Sequence, residues 1–225
     1  MPTPLEEMRI VARRLEPLNV PFAFIGGAVM CLLVDNPAVT QFRRTKDVDV
    51  IVAVITYNQF AQLEARLRKA GLEHDTSAGA PIFRWIVEGC RVDIMPEEPA
   101  NLGMNTRWFP ETLRLAVLKD LGDGCFAKVA TPPLYLATKL AAFHDRGKSD
   151  YYLSHDLEDI VTLIDGRTDI VEEIANSAPE VREFIVTSVK VIKGHIDFRD
   201  ALHSHLPERQ RIPQFLSRFA AIAAL

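Results

Sequence analysis

Cysteine is scarce in this chain of 225 residues. The three present, Cys31, Cys90 and Cys125, are odd in number and far apart, which excludes a disulfide framework and a paired-cysteine zinc site. Long apolar runs are missing as well, since none approaches the roughly 20 residues that span a bilayer. The N-terminal stretch to Arg13 mixes acids and bases along an amphipathic helix instead of leading into an apolar secretory segment. Both readings place the protein in the cytoplasm, with no membrane partner. An excess of positive charge is also lacking. The net charge is −4, with 11 basic and 13 acidic residues in 1–100 and 15 and 17 in the remainder, so no global field draws nucleic acid and a polyanion would need a local patch. Internal repeats and low-complexity linkers are absent. With 48% hydrophobic and 25% charged residues, wholesale disorder is excluded too.

What is present reads as strands first and helices later. Leu5, Met8, Ile10, Val11, Leu15 and Leu18 follow a helical stripe over Pro4 to Leu18. Phe22 to Ile25 forms a short strand ending at Gly26-Gly27, and Ala28 to Val34 reads as a buried helix. The β-branched run from Asp47 to Val54 predicts a central strand. A helix follows from Asn58 to Ala70, closed by Gly71. Ile82 to Val87 and Cys90 to Met95 flank Glu88-Gly89 at hairpin spacing. A helix over Pro110 to Leu118, a turn at Gly122-Asp123-Gly124 and a strand from Phe126 to Val129 are expected next. Helices are then predicted over Leu134 to Arg146, Tyr151 to Ile164, Asp169 to Asn176, Pro179 to Leu206 and Ile212 to Ala224. This pattern predicts an α/β (α+β) fold with a mixed sheet in residues 1–130 and a helical domain in 131–225.

The chemistry concentrates around carboxylates. Asp47 and Asp49 lie two apart on the predicted central strand, so they share a face with Cα atoms roughly 6.5 Å apart, while Val48 and Val50 face the other way. The same parity on the later strand separates Asp93 from Val92 and Ile94, and a neighbouring strand would bring this third carboxylate to the pair. Three converging carboxylates repel one another unless a cation lies between them, and hard oxygen donors favour Mg²⁺ or Mn²⁺. Such a site serves in-line phosphoryl or nucleotidyl displacement. Gly26-Gly27 at a strand end offers backbone N–H groups to triphosphate oxygens without side-chain obstruction.

A Gly-Gly turn, an Asp-x-Asp strand and a third aspartate on a following strand resemble the DNA polymerase β-type nucleotidyltransferase superfamily. The longer pattern of Gly26-Gly27, Arg44-Thr45-Lys46-Asp47-Val48-Asp49, Lys139, Arg146, Asp156 and Asp159 is similar to its AbiEii/MenT branch of toxins in toxin–antitoxin systems. The resemblance covers roughly residues 20–165. It implies Asp47, Asp49 and Asp93 as catalytic metal ligands, and Gly26, Gly27, Thr45 and Lys46 as contacts to the NTP. Lys139 is the implied nucleotide-contacting lysine, and Arg146, seven residues on, shares its helical face. Asp159 is the preferred catalytic or orienting carboxylate, with Asp156 left open beside it.

The resemblance further implies transfer of a nucleoside monophosphate to a hydroxyl acceptor, with a tRNA 3′ end or other RNA as acceptor and an antitoxin protein as partner. Two other readings stand beside it. The acidic balance suits a small-molecule acceptor, as in the antibiotic nucleotidyltransferases, and a retained fold also serves as a catalytically inactive nucleotide-binding module.

Overall fold

The computed structural model describes residues 2–37, 39, 43, 45–54, 56–98, 105–146 and 150–225. These gather into two units, one of Met1–Cys31, Arg43–Leu102 and Trp108–Thr131, the other of Leu32–Phe42, Gly103–Arg107 and Pro132–Leu225. No helix among the described residues is long and apolar enough to cross a membrane.

The first unit is built on a mixed sheet. Helix α1 (Pro4–Leu15) begins at Thr3, whose side chain accepts from the Glu6 N–H while Glu6 reaches back to the Thr3 N–H. It buries Met8, Val11, Ala12 and Leu15 against strands β2 (Val48–Val52) and β5 (Cys90–Pro96). Its expected extension to Leu18 is instead a 3₁₀ turn, Glu16–Leu18, because Pro17 has no N–H to continue the ladder. Strand β1 (Phe22–Ile25) ends at Gly26, and the chain turns through Gly27–Val29 into the short helix α2 (Met30–Leu33). Helix α3 (Tyr57–Lys69) carries a Thr56–Gln59 capping box. It is followed by β3 (Glu73–His74), which the sequence pattern misses because two residues carry no periodicity.

Strand β4 (Arg84–Val87) joins β5 through Glu88 and Gly89, both at positive φ (49° and 78°), the backbone that a two-residue hairpin demands. Helix α4 (Phe109–Leu115) ends earlier than the sequence predicts. Val117 and Leu118 belong to strand β6 (Val117–Asp120), paired with β7 (Phe126–Val129) around Gly122-Asp123-Gly124. The cross-strand ladder wins over the helical pattern because all three turn residues hold positive φ and bring the two strands together. The strand order is β3-β4-β5-β2-β1-β7-β6, with β2 parallel to β5 and β1 parallel to β7, and the other pairs antiparallel.

The second unit is helical: α5 (Pro132–Arg146), α6 (His155–Gly166), α7 (Ile170–Ala175), α8 (Pro179–Gly194), α9 (Phe198–His205) and α10 (Ile212–Ala224). Helix α6 starts at His155, not at Tyr151, because the Ser154 side chain accepts from the Leu157 N–H and defines the first turn. The single helix expected from Pro179 to Leu206 is two. Gly194 ends α8, and His195 is extended (φ −76°, ψ 137°) with its ring stacked 4.0 Å from Tyr151. Phe198 then tucks onto Phe219 (4.9 Å). Leu33 to Asn36 pack within this unit: the Asp35 and Asn36 N–H groups both donate to the Gly166 carbonyl at 3.0 Å. A side chain at Gly166 would lie 2.8 Å from Val34 Cγ2, so the glycine permits this approach.

All three thiols lie in the first unit, Cys90 and Cys125 buried and Cys31 half-buried. Burial pushes each thiol above its usual range.

Candidate active site

Strand register assembles the first group. β4, β5, β2 and β1 place Arg84, Asp93, Asp49 and Ile25 as successive ladder partners, one row across four strands. Asp47 precedes Asp49 by two residues, and alternation puts both on the row's face. The opposite face is core: Val48, Val50, Val92 and Ile94 are all fully buried. Asp93 is buried, while Asp47 and Asp49 are half-buried.

Arg84 binds this row with a fork. Its Nε donates to Asp93 Oδ1 at 2.7 Å, and its Nη2 donates to Asp93 Oδ2 at 2.8 Å and to Asp47 Oδ2 at 2.5 Å. The hydrogen bonds to Asp93 hold the guanidinium above its usual range. Two of the three carboxylates share this guanidinium, which leaves Asp47, Asp49, Asp93 and Arg84 together two formal charges negative.

Gly26 and Gly27 close the other end. Gly26 holds φ +69° and ψ −169°. A Cβ built on it would lie 1.8 Å from Asp49 Oδ2, so the carboxylate fills the space that any other residue would occupy. A Cβ on Gly27 would lie 2.1 Å from Thr45 Cγ2, with Arg43 Nη2 3.6 Å away. Thr45 is buried and, among the described residues, its hydroxyl has no hydrogen-bond partner, whereas Lys46 is exposed. Arg44 lies outside the described residues. An unsatisfied buried hydroxyl is destabilising, so Thr45→Val should raise thermal stability by about 1 kcal/mol, roughly 2–4 °C for a chain of this size. Calorimetric melting checks this, and a lower melting temperature would show that the hydroxyl is satisfied.

The donor set of Asp47, Asp49 and Asp93 is all hard oxygen, which suits a divalent ion such as Mg²⁺ or Mn²⁺. Among the described residues no three such side chains are gathered to hold a metal ion as they stand, because the Arg84 guanidinium lies between Asp47 and Asp93. The chemistry of the donors fits the ion; the cation they hold is an arginine.

The second unit carries its own charged group. Lys139 on α5 places Nζ 2.6 Å from Asp159 Oδ2 and 3.3 Å from Asp156 Oδ1. Both aspartates lie on α6 and are 5% exposed. The lysine therefore binds the two acids between which the sequence leaves a choice. Removing it strands buried charge, and Lys139→Met is expected to lower stability by about 3 kcal/mol. Asp159→Asn, which leaves Asp156 to hold the ammonium, should cost less; denaturant titration of both variants distinguishes them. Arg146 is the last residue of α5, and its side chain lies outside the described residues.

Arg84 is the residue that reading the sequence misses. The signal for it was present: a two-residue turn at Glu88-Gly89 pairs 87 with 90 and, counting outward, 84 with 93.

No protein-family model matches the sequence, and no curated protein does. Among solved structures, the chain is similar to an antigenic nucleotidyltransferase-like protein from Paracoccidioides brasiliensis (TM-score 0.46, 18% identity, covering 97% of this chain and 93% of that one). It is also similar to the antibiotic-resistance factor ANT(2'')-Ia in solution (TM-score 0.46, 10% identity, 84% and 92%). The crystal structure of ANT(2")-Ia in complex with adenylyl-2"-tobramycin gives TM-score 0.47 and 12% identity, covering 84% and 99%. At these scores and identities the likeness leaves the chemistry to be read from the residues themselves.

Proposed function

We propose that this chain is a metal-dependent nucleotidyltransferase of the DNA polymerase β type, which moves a nucleoside monophosphate from an NTP to a hydroxyl acceptor. The observation that carries this reading is the register row of Asp93 and Asp49, with Asp47 beside it and Asp49 seated against Gly26. In the transfer, the acceptor oxygen bonds to the α-phosphorus and the bond to the β-phosphate bridge breaks, releasing pyrophosphate. A divalent ion bound by Asp47, Asp49 and Asp93 would supply Lewis-acid stabilisation of the phosphate charge.

The chain's own residues do the rest. Asp93 takes the proton of the acceptor hydroxyl. The Gly26-Gly27 backbone, free of Cβ atoms, admits phosphate oxygens close to the main chain. Thr45, Arg43 and Lys46 lie on the segment leading into the aspartates and add hydrogen bonding and positive charge toward the NTP. Lys139, Arg146 and Asp159 are assigned to the nucleotide by resemblance, Lys139 and Arg146 as triphosphate cations and Asp159 as the orienting carboxylate.

For the acceptor, the resemblance to the AbiEii/MenT branch supports a tRNA 3′ end, with the chain acting as a toxin and an antitoxin protein as its partner. The net charge of −4 and pI of about 5.9 favour the second reading, a small-molecule hydroxyl as in antibiotic modification. Incubation with each α-labelled NTP and Mg²⁺, in the presence of total tRNA or of an aminoglycoside panel, tests both. Label on tRNA supports the first reading, and label on the small molecule the second. Equal labelling by wild type and Asp49→Asn counts against the catalytic assignment of the aspartate row, and none with any acceptor favours an inactive nucleotide-binding module.

A further inference from the structure

The proposed chemistry needs the carboxylates of Asp47, Asp49 and Asp93 together, yet two of the three hold an arginine. This arginine is built into the sheet. Arg84 is the ladder partner of Asp93, so backbone register aims its side chain along the row, and Glu88-Gly89 fixes that register. Arg84 and Asp93 side chains are only 19% and 8% exposed. A guanidinium is a permanent cation whose N–H groups match a carboxylate edge in fixed geometry. It therefore takes the same oxygens that a divalent ion would need. The Asp93 oxygens both accept from it, and the Asp47 oxygen that completes the fork is the third.

We propose that Arg84 is the resident counter-cation of the aspartate row, which a divalent ion must displace, so that Arg84 weakens the metal affinity of the nucleotide-free protein and holds the row together without metal. This rests on the nucleotidyltransferase reading above. It also gives the displaced guanidinium a destination: a triphosphate arriving with its ion brings the negative charge that releases Arg84 from Asp93 and Asp47. Loading from the metal–nucleotide complex is then favoured over loading from the free ion.

The test is Mn²⁺ binding to the nucleotide-free protein, followed by electron paramagnetic resonance, for wild type, Arg84→Gln, Arg84→Lys and Asp49→Asn. Arg84→Gln is expected to bind Mn²⁺ at least about tenfold more tightly than wild type. Arg84→Lys, a single point charge in place of a fork, should fall between them. Without metal, Arg84→Gln should melt below wild type, and Mn²⁺ should raise its melting temperature more than that of wild type. A wild type and Arg84→Gln that bind Mn²⁺ equally, with Asp49→Asn abolishing binding, would overturn the counter-cation role and leave the metal site standing. Absence of Mn²⁺ binding in every variant would remove the metal site and this proposal together. If Arg84→Gln fails to fold, Arg84→Lys decides, and an affinity equal to wild type counts against the proposal.

Discussion

Asp49→Asn is expected to lower nucleotidyl transfer by about 10³-fold or more, equivalent to roughly 4 kcal/mol of transition-state stabilisation, while leaving the fold intact. The side chain sits in the middle of the register row, between Asp93 on β5 and the end of β1 at Ile25. Asparagine keeps its shape and its place against Gly26 but removes one charge from a row that is two charges negative. Relief of that repulsion offsets any lost hydrogen bond, so the melting temperature should stay within a few degrees of wild type. Single-turnover transfer of labelled nucleotide and calorimetry on the same preparations separate chemistry from stability. Transfer at the wild-type rate would remove Asp49 from the site. A loss of transfer accompanied by a collapse of the melt would make its role structural.

Gly26→Ala should damage both. A φ of +69° with ψ near −169° is a region that residues with a Cβ scarcely enter, at a cost of about 1–3 kcal/mol. The new methyl would also have to displace Asp49 Oδ2 from 1.8 Å, moving the carboxylate on which transfer depends. Together these should exceed about 4 kcal/mol, a fall in melting temperature of roughly 8–16 °C, with transfer lost even at temperatures where the protein remains folded. Gly27→Ala is the comparison. Its Cβ meets a methyl of Thr45 on a connecting segment without a left-handed φ, so it should lower stability less. Equal effects from the two would show that crowding, and not backbone conformation, sets the requirement at this turn.

Much of the row was legible from the chain alone. Parity on Asp47 to Val54 separates the acids from the valines, and the run matches the observed strand apart from its ends. The hairpin at Glu88-Gly89 was equally plain, and the parallel pairing of its second strand with β2 carries Asp93 to the same side. Arg84 was hidden because a lone base in an apolar strand reads as solvated; only register arithmetic across the turn shows that it faces an acid. Val117 and Leu118 were misread for a different reason. Their spacing continues α4, and a ladder formed with residues beyond the turn is not encoded in local periodicity. The break at His195 follows the same logic, since the stack on Tyr151 and the burial of Phe198 are contacts between distant residues. The Lys139 group stood between these cases: the resemblance marks Lys139 as a nucleotide contact and Asp159 or Asp156 as an orienting carboxylate, but that the three side chains pair with one another depends on side-chain reach across two helices.

The placement of the thiols makes the two units separately observable. Cys31, Cys90 and Cys125 all belong to the sheet unit, and the helical unit has none. Their raised pKa values keep them largely protonated and slow to react while the sheet is intact. A thiol-reactive dye therefore times the opening of the sheet unit alone, and circular dichroism at the helical band reports chiefly on the other. The protein carries its own domain-resolved unfolding clock without an engineered label.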